Sequence, residues 1–180
     1  KEAKVNVTVA ARPITVTAAS TTKKVETADP TFSASVTAGT LADGQTIEYT
    51  VTREAGEEVG KYAIIPAAVI KSGETDVTAN YAITYKNGEL EIIDAVLKDI
   101  KIDTPASVLS YIEDQTLDLT GLVVKAKYDN SDEWVVINPT VTPAAGYKFT
   151  ADDAAAGTKT VEVTFGDKKV TFDVTVAAKV

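Results

Sequence analysis

The chain has 180 residues, 26 acidic against 18 basic, a net charge of −8 and a pI near 4.6. Such a surface repels nucleic-acid phosphates and anionic lipid headgroups, and no run approaches the roughly 18 apolar residues that a membrane-spanning helix requires. Cys, His and Met are all absent, which excludes disulfides and thiolate chemistry and removes the commonest general base and metal ligand.

A hydrophobic fraction of 44% suits packed cores rather than disorder. Thr and Val together make up roughly a quarter of the residues. Both are β-branched, stiff at the first side-chain torsion, and favoured on a pleated surface. Alternation of apolar and polar residues then marks the strands in chain order. Val5, Val7 and Val9 form the first run, followed by Ile14, Val16 and Ala18, then Ile47, Tyr49 and Val51. Tyr81, Ile83 and Tyr85 share one face, and Leu90 and Ile92 follow after Lys86-Asn87-Gly88. An Asn-Gly pair between alternating runs predicts a tight hairpin there, because such turns need positive φ.

A boundary is expected at Asp94-Ala95-Val96, with a new strand over Leu97–Ile102. Beyond it, Leu122, Val124, Ala126 and Tyr128 face one way. Val161, Val163 and Phe165 lead through Gly166-Asp167 into Val170, Phe172, Val174 and Val176, a second expected hairpin. Only Thr150–Ala156 reads as helical: Thr150 with Asp153 resembles a capping box, and Gly157 ends the helix after about one turn.

Glu58-Val59-Gly60-Lys61-Tyr62-Ala63-Ile64 fits the corner that precedes the sixth strand of immunoglobulin-like sandwiches, in which a Tyr hydroxyl bonds back to the main chain. Tyr62 is the expected corner residue. A looser echo runs from Asp153 to Val161, with Lys159 at the Tyr position.

The stretches ARPITVTA (Ala11–Ala18), ADPTF (Ala28–Phe32), Ala38–Ile64 and NYAITYKNGELEI (Asn80–Ile92) make the first half similar to the MBG-type repeats of bacterial surface proteins. The Tyr-Gly pair usual before the Asp-Pro is replaced by Lys24-Val25-Glu26-Thr27. Leu117–Asn130 and Gly157–Val176 make the second half resemble bacterial immunoglobulin-like repeats. The resemblances imply an extracellular stalk or binding module and transfer no catalytic or ligand residues. Residues 1–10 read either as the last strand of a preceding repeat, which would make the chain a piece of a longer protein, or as a strand of the first domain itself.

Candidate chemistry is sparse. No Gly-x-Ser-x-Gly elbow is present, and no catalytic residues are assigned. Asp129, Asp132 and Glu133 in one turn, and Asp152 with Asp153 in another, are oxygen-ligand candidates for Ca²⁺, although no Asp-x-Asp-x-Asp-Gly loop surrounds them. No other cofactor is expected. Trp134, the sole Trp, could form an aromatic sugar platform with Tyr128.

The reading is therefore an all-β chain of two tandem Ig-like β-sandwiches, 1–94 and 95–180, with a β-grasp-like sheet as the alternative for the first. The expected role is a non-catalytic structural or adhesive module of an extracellular, cell-surface or secreted bacterial protein. Host or cell-wall glycans or proteins are its candidate partners, and a monomer is the expected state. The alternative is an accessory carbohydrate-binding or spacer module of a secreted polysaccharide-degrading enzyme.

Overall fold

The computed structural model describes residues 9–180, so most of the run expected over Val5–Val9 lies outside the described residues. The chain divides into two compact units, Lys1–Asp94 and Ala95–Val180. Both are built of strands, as the wealth of β-branched residues requires.

The first unit contains β1 (Arg12–Ala18), β2 (Thr21–Lys24), β3 (Ala34–Ala38), β4 (Gln45–Arg53), β5 (Gly60–Ser72), β6 (Thr75–Asp76), β7 (Tyr81–Lys86) and β8 (Gly88–Ile93). They form two sheets, ordered β3-β1-β7 and β2-β8-β5-β4, with β6 paired to β5. Alternation turns Ile14 and Val16 inward against Ala68, Ile70 and Tyr81. A second cluster joins Ala18, Ile64, Leu90 and Ile92. The result is a sandwich of two sheets, not the single β-grasp-like sheet held open as the alternative.

The hairpin expected at Asn87-Gly88 does not form. β7 and β8 belong to different sheets, and neither Asn87 nor Gly88 has positive φ. The chain runs straight on and crosses from one sheet to the other. β1 and β2 make the same crossing through Ala19-Ser20, and the two segments cross side by side. β1 pairs parallel with β7 and β2 pairs parallel with β8, each residue lying opposite the one 69 positions later: Arg12 opposite Tyr81, Thr17 opposite Lys86, Thr21 opposite Leu90, Lys24 opposite Ile93.

Close approach decides what stands at the crossing. A Cβ on residue 88 would lie 2.7 Å from the Ala19 carbonyl oxygen and 2.8 Å from that of Ala18. Gly88 is therefore required by packing against backbone rather than by turn geometry.

The crossing leaves part of the β5 edge without a strand, and side chains take over its backbone groups. The Tyr85 hydroxyl accepts from Ala68 N (3.3 Å) and donates to Ala68 O (3.4 Å). Thr78 Oγ1 accepts from Ile70 N (2.9 Å), and Val77 N donates to Ile70 O.

The second unit contains β9 (Leu97–Thr104), β10 (Ser110–Ile112), β11 (Val123–Tyr128), β12 (Trp134–Ile137), β13 (Thr140–Thr142), α1 (Ala151–Ala156), β14 (Thr158–Phe165) and β15 (Lys168–Ala177). Its sheets are β12-β11-β9 and β10-β15-β14-β13. Tyr111, Leu117, Phe149, Val161, Val174 and Val176 form the core. The Phe149 ring lies 4.6 Å from Tyr111 and meets Tyr147 edge-on at 5.6 Å, a favourable aromatic arrangement. The β14–β15 hairpin turns at Gly166-Asp167 as expected. Helix α1 has the expected capping box: Thr150 Oγ1 accepts from Asp153 N, and Asp153 Oδ2 accepts from Thr150 N.

Candidate functional site

The residues singled out for ligand binding do not converge. Trp134 lies opposite Lys127 in the β11–β12 ladder and shares its outward face. Tyr128 follows Lys127 along β11 and takes the other face, the side of buried Val124 and Ala126. Successive strand residues point to opposite sides, so Trp134 and Tyr128 cannot form one platform. On the outward face, Lys101 Nζ stands 4.7 Å from the Trp134 ring centroid, a cation–π contact. Lys125 pairs with Asp103 at 2.7 Å and Lys127 with Asp132 at 2.9 Å.

The Ca²⁺ candidates are likewise separated. Asp129 Oδ1 accepts from Val96 N at 2.9 Å, and Asp132 is engaged by Lys127. Asp153 is consumed by the helix cap. Among the described residues no group of three or more His, Cys, Asp or Glu side chains could hold a metal ion. The acidic residues are near in sequence, but Asp129 and Asp153 already accept from backbone N–H groups, and Asp132 and Asp153 already pair with lysines.

Two charged clusters that sequence reasoning missed do converge. In the first unit, Lys23 sits at an inward position of β2 with its side chain only 4% exposed. Its Nζ lies 2.8 Å from Asp29 Oδ1, donates to Thr27 O at 3.0 Å, and pairs with Glu57. Arg53, ending β4, donates through Nε to Asp29 Oδ2 (2.6 Å), through Nη2 to Glu57, and through Nη1 to Gly56 O (2.6 Å). A buried ammonium is tolerable only with such partners. Asp29, followed by Glu57, raises the Lys23 pKa. Arg53, followed by Lys23, lowers that of Asp29. The cluster ties the segment after β2 to the loop before β5, where Tyr62 makes the expected corner bond, its hydroxyl donating to Glu58 O at 2.9 Å.

In the second unit, Lys159 stands where the corner Tyr would be and reaches Asp153 Oδ1 at 2.9 Å and the Tyr147 hydroxyl at 3.3 Å. Asp153 is buried and also accepts from Tyr147 Oη and Thr150 N. A Lys–carboxylate pair thus replaces the Tyr–backbone bond of the first corner. Carboxylates raise the pKa of both Lys23 and Lys159, so both amines stay cationic and neither serves as a base or nucleophile at neutral pH.

Residues 14–91 match the model of the MBG domain (YGX type), and residues 109–176 match that of the bacterial Ig-like domain (group 3). The chain is an MBG domain followed by a bacterial Ig-like domain. No curated protein matches it. Among solved structures it is similar to titin domains Z1Z2 in complex with telethonin, at 10% identity and a TM-score of 0.34 over 93% of this chain and 94% of that one. It is also similar to Sidekick-1 immunoglobulin domains 1–4, at 10% identity and a TM-score of 0.31, with 96% of this chain covering 48% of that one. In the MBG domain, the segment that lacks the Tyr-Gly pair places Glu26 at φ 63°, a left-handed conformation that Gly adopts more readily.

Proposed function

We propose that the chain is a non-catalytic structural module of a bacterial cell-surface or secreted protein, and that it serves as a stalk or spacer. The observation that carries this reading is the clothing of the sheets. The MBG domain places Thr15, Thr17, Thr37 and Thr84 at the outward positions of the β3-β1-β7 sheet. The Ig-like domain places Thr140, Thr142, Thr160 and Thr171 on the outward face of its larger sheet. Threonine combines high β-propensity with a hydroxyl that suits water, so both domains present wet, regular faces there, while Val16 and Ile70 in one domain and Val161 and Val174 in the other are buried in cores of their own. The two family matches support the same reading, as domains of bacterial surface proteins.

The second reading, an accessory carbohydrate-binding module, rests on Trp134 lying on an outward sheet face. A screen of the purified chain against glycans and bacterial cell-wall preparations separates the two. The stalk reading predicts no specific binding and no difference between wild type and Trp134→Ala. Saturable binding that Trp134→Ala abolishes would overturn it in favour of the carbohydrate-binding module.

A further inference from the structure

We propose that the MBG domain is a load-bearing element whose first and last strands form a shear clamp against tension along the chain. The inference deepens the stalk reading and takes its biological use from it, but the mechanics follow from strand register alone.

Tension along the chain enters the MBG domain ahead of β1 and leaves it after β8. The β1–β2 segment and the β7–β8 segment are neighbours and run parallel. Tension therefore pulls the leading end of one and the trailing end of the other in opposite directions along the strands. A parallel pair loaded this way cannot open one hydrogen bond at a time, because every bond in the ladder carries the load together. Antiparallel end strands would open like a zip.

Three features strengthen the clamp. The register is unbroken across the sheet crossing, with six pairs between β1 and β7 and four between β2 and β8. At the crossing, Gly88 fits against the Ala18 and Ala19 carbonyls with no room for a Cβ. A slip by one residue would drive a larger side chain into that gap. β2, the edge strand of its sheet, is further held by Lys23, whose ammonium is bound to Asp29, Glu57 and Thr27 O. Ion pairs between β2 and the loop before β5 must break together with the ladder.

The test pulls one protein in two directions. The chain has no Cys, so paired Cys handles can be placed at will in the full chain, with thermal melts confirming that each variant folds as wild type. Handles at Ala10→Cys and Val96→Cys load the two segments in shear. Handles at Ala10→Cys and Ala79→Cys pull apart the two adjacent leading ends and peel β7, an edge strand, from β1. In single-molecule force spectroscopy the shear geometry should rupture at several-fold higher force than the peeling geometry. Equal rupture forces would overturn the clamp and leave the stalk reading to the glycan screen. Ligand binding in that screen would overturn the stalk reading and leave the force asymmetry in place.

Discussion

Gly88→Ala should lower the melting temperature of the MBG domain by about 10–20 °C, following ~2–3 kcal/mol of overpacking strain. The added methyl group would sit 2.7–2.9 Å from the Ala18 and Ala19 backbone, well inside contact distance. Those atoms belong to the neighbouring segment of the crossing and cannot rotate away as a side chain tip could. Gly88 does not have positive φ, so the loss would come from the clash and not from a forbidden backbone conformation. Gly146→Ala is the matching control. Its φ of 83° is strained for Ala, but nothing lies within 4 Å of the added methyl, and the expected loss is about 1 kcal/mol. Differential scanning calorimetry of both variants checks the comparison. A Gly88→Ala loss no larger than that of Gly146→Ala would mean that the crossing is looser than described.

The Ig-like domain should lose about 2–4 kcal/mol on Asp153→Ala, counting a helix cap and charge-assisted hydrogen bonds. The change would leave Thr150 N and the Tyr147 hydroxyl without their acceptor and Lys159 without its counter-ion. Lys159 is about one-third exposed, and water at its ammonium keeps the loss below that of a fully buried pair. Asp153→Asn retains an acceptor and should fall between wild type and Ala.

The pH dependence has a definite sign. Lys159, followed by the Thr150 backbone N–H, holds the Asp153 carboxyl well below the usual carboxylate range. Lys148 and Lys179 hold Asp114 at about 2. A depressed carboxylate stabilises the fold above its unfolded-state pKa, near 4, and loses that contribution as pH falls toward the folded value. Wild type should therefore lose Ig-like domain stability between about pH 4 and pH 2, and Asp153→Asn should lose less over the same window. Chemical denaturation at stepped pH measures both. Equal acid sensitivity in the two proteins would remove Asp153 from the account.

What the sequence made legible is what short-range chemistry decides. Alternation places Ile14, Val16, Val124, Ala126, Val161 and Val163 inward. The Thr150–Asp153 spacing marks the helix cap, the Gly-Asp turn joins β14 to β15, and the Glu58–Tyr62 spacing anticipates the corner bond. Alternation tells which way a side chain faces but not which sheet its strand joins, so β7 and β8 looked like one hairpin. The deciding contact is with Ala18 and Ala19, some 70 residues away along the chain.

The charged lock was hidden for the same reason. Lys23 meets partners at Asp29 and Glu57, and nothing in the polar run Thr21–Lys24 marks its third residue as inward. Trp134 and Tyr128 flank one turn, yet the β11–β12 register, which no local signal specifies, puts them on opposite faces.

The central claim is that each family domain is a complete fold with its own core, joined in tandem. Thermal melts of Lys1–Asp94 and Ala95–Val180, each produced alone, test it most directly. Each should unfold in a single cooperative transition, at a melting temperature close to that of the same domain in the full chain. A half that stays unfolded, or melts without cooperativity, would contradict the claim and show that the two share a core.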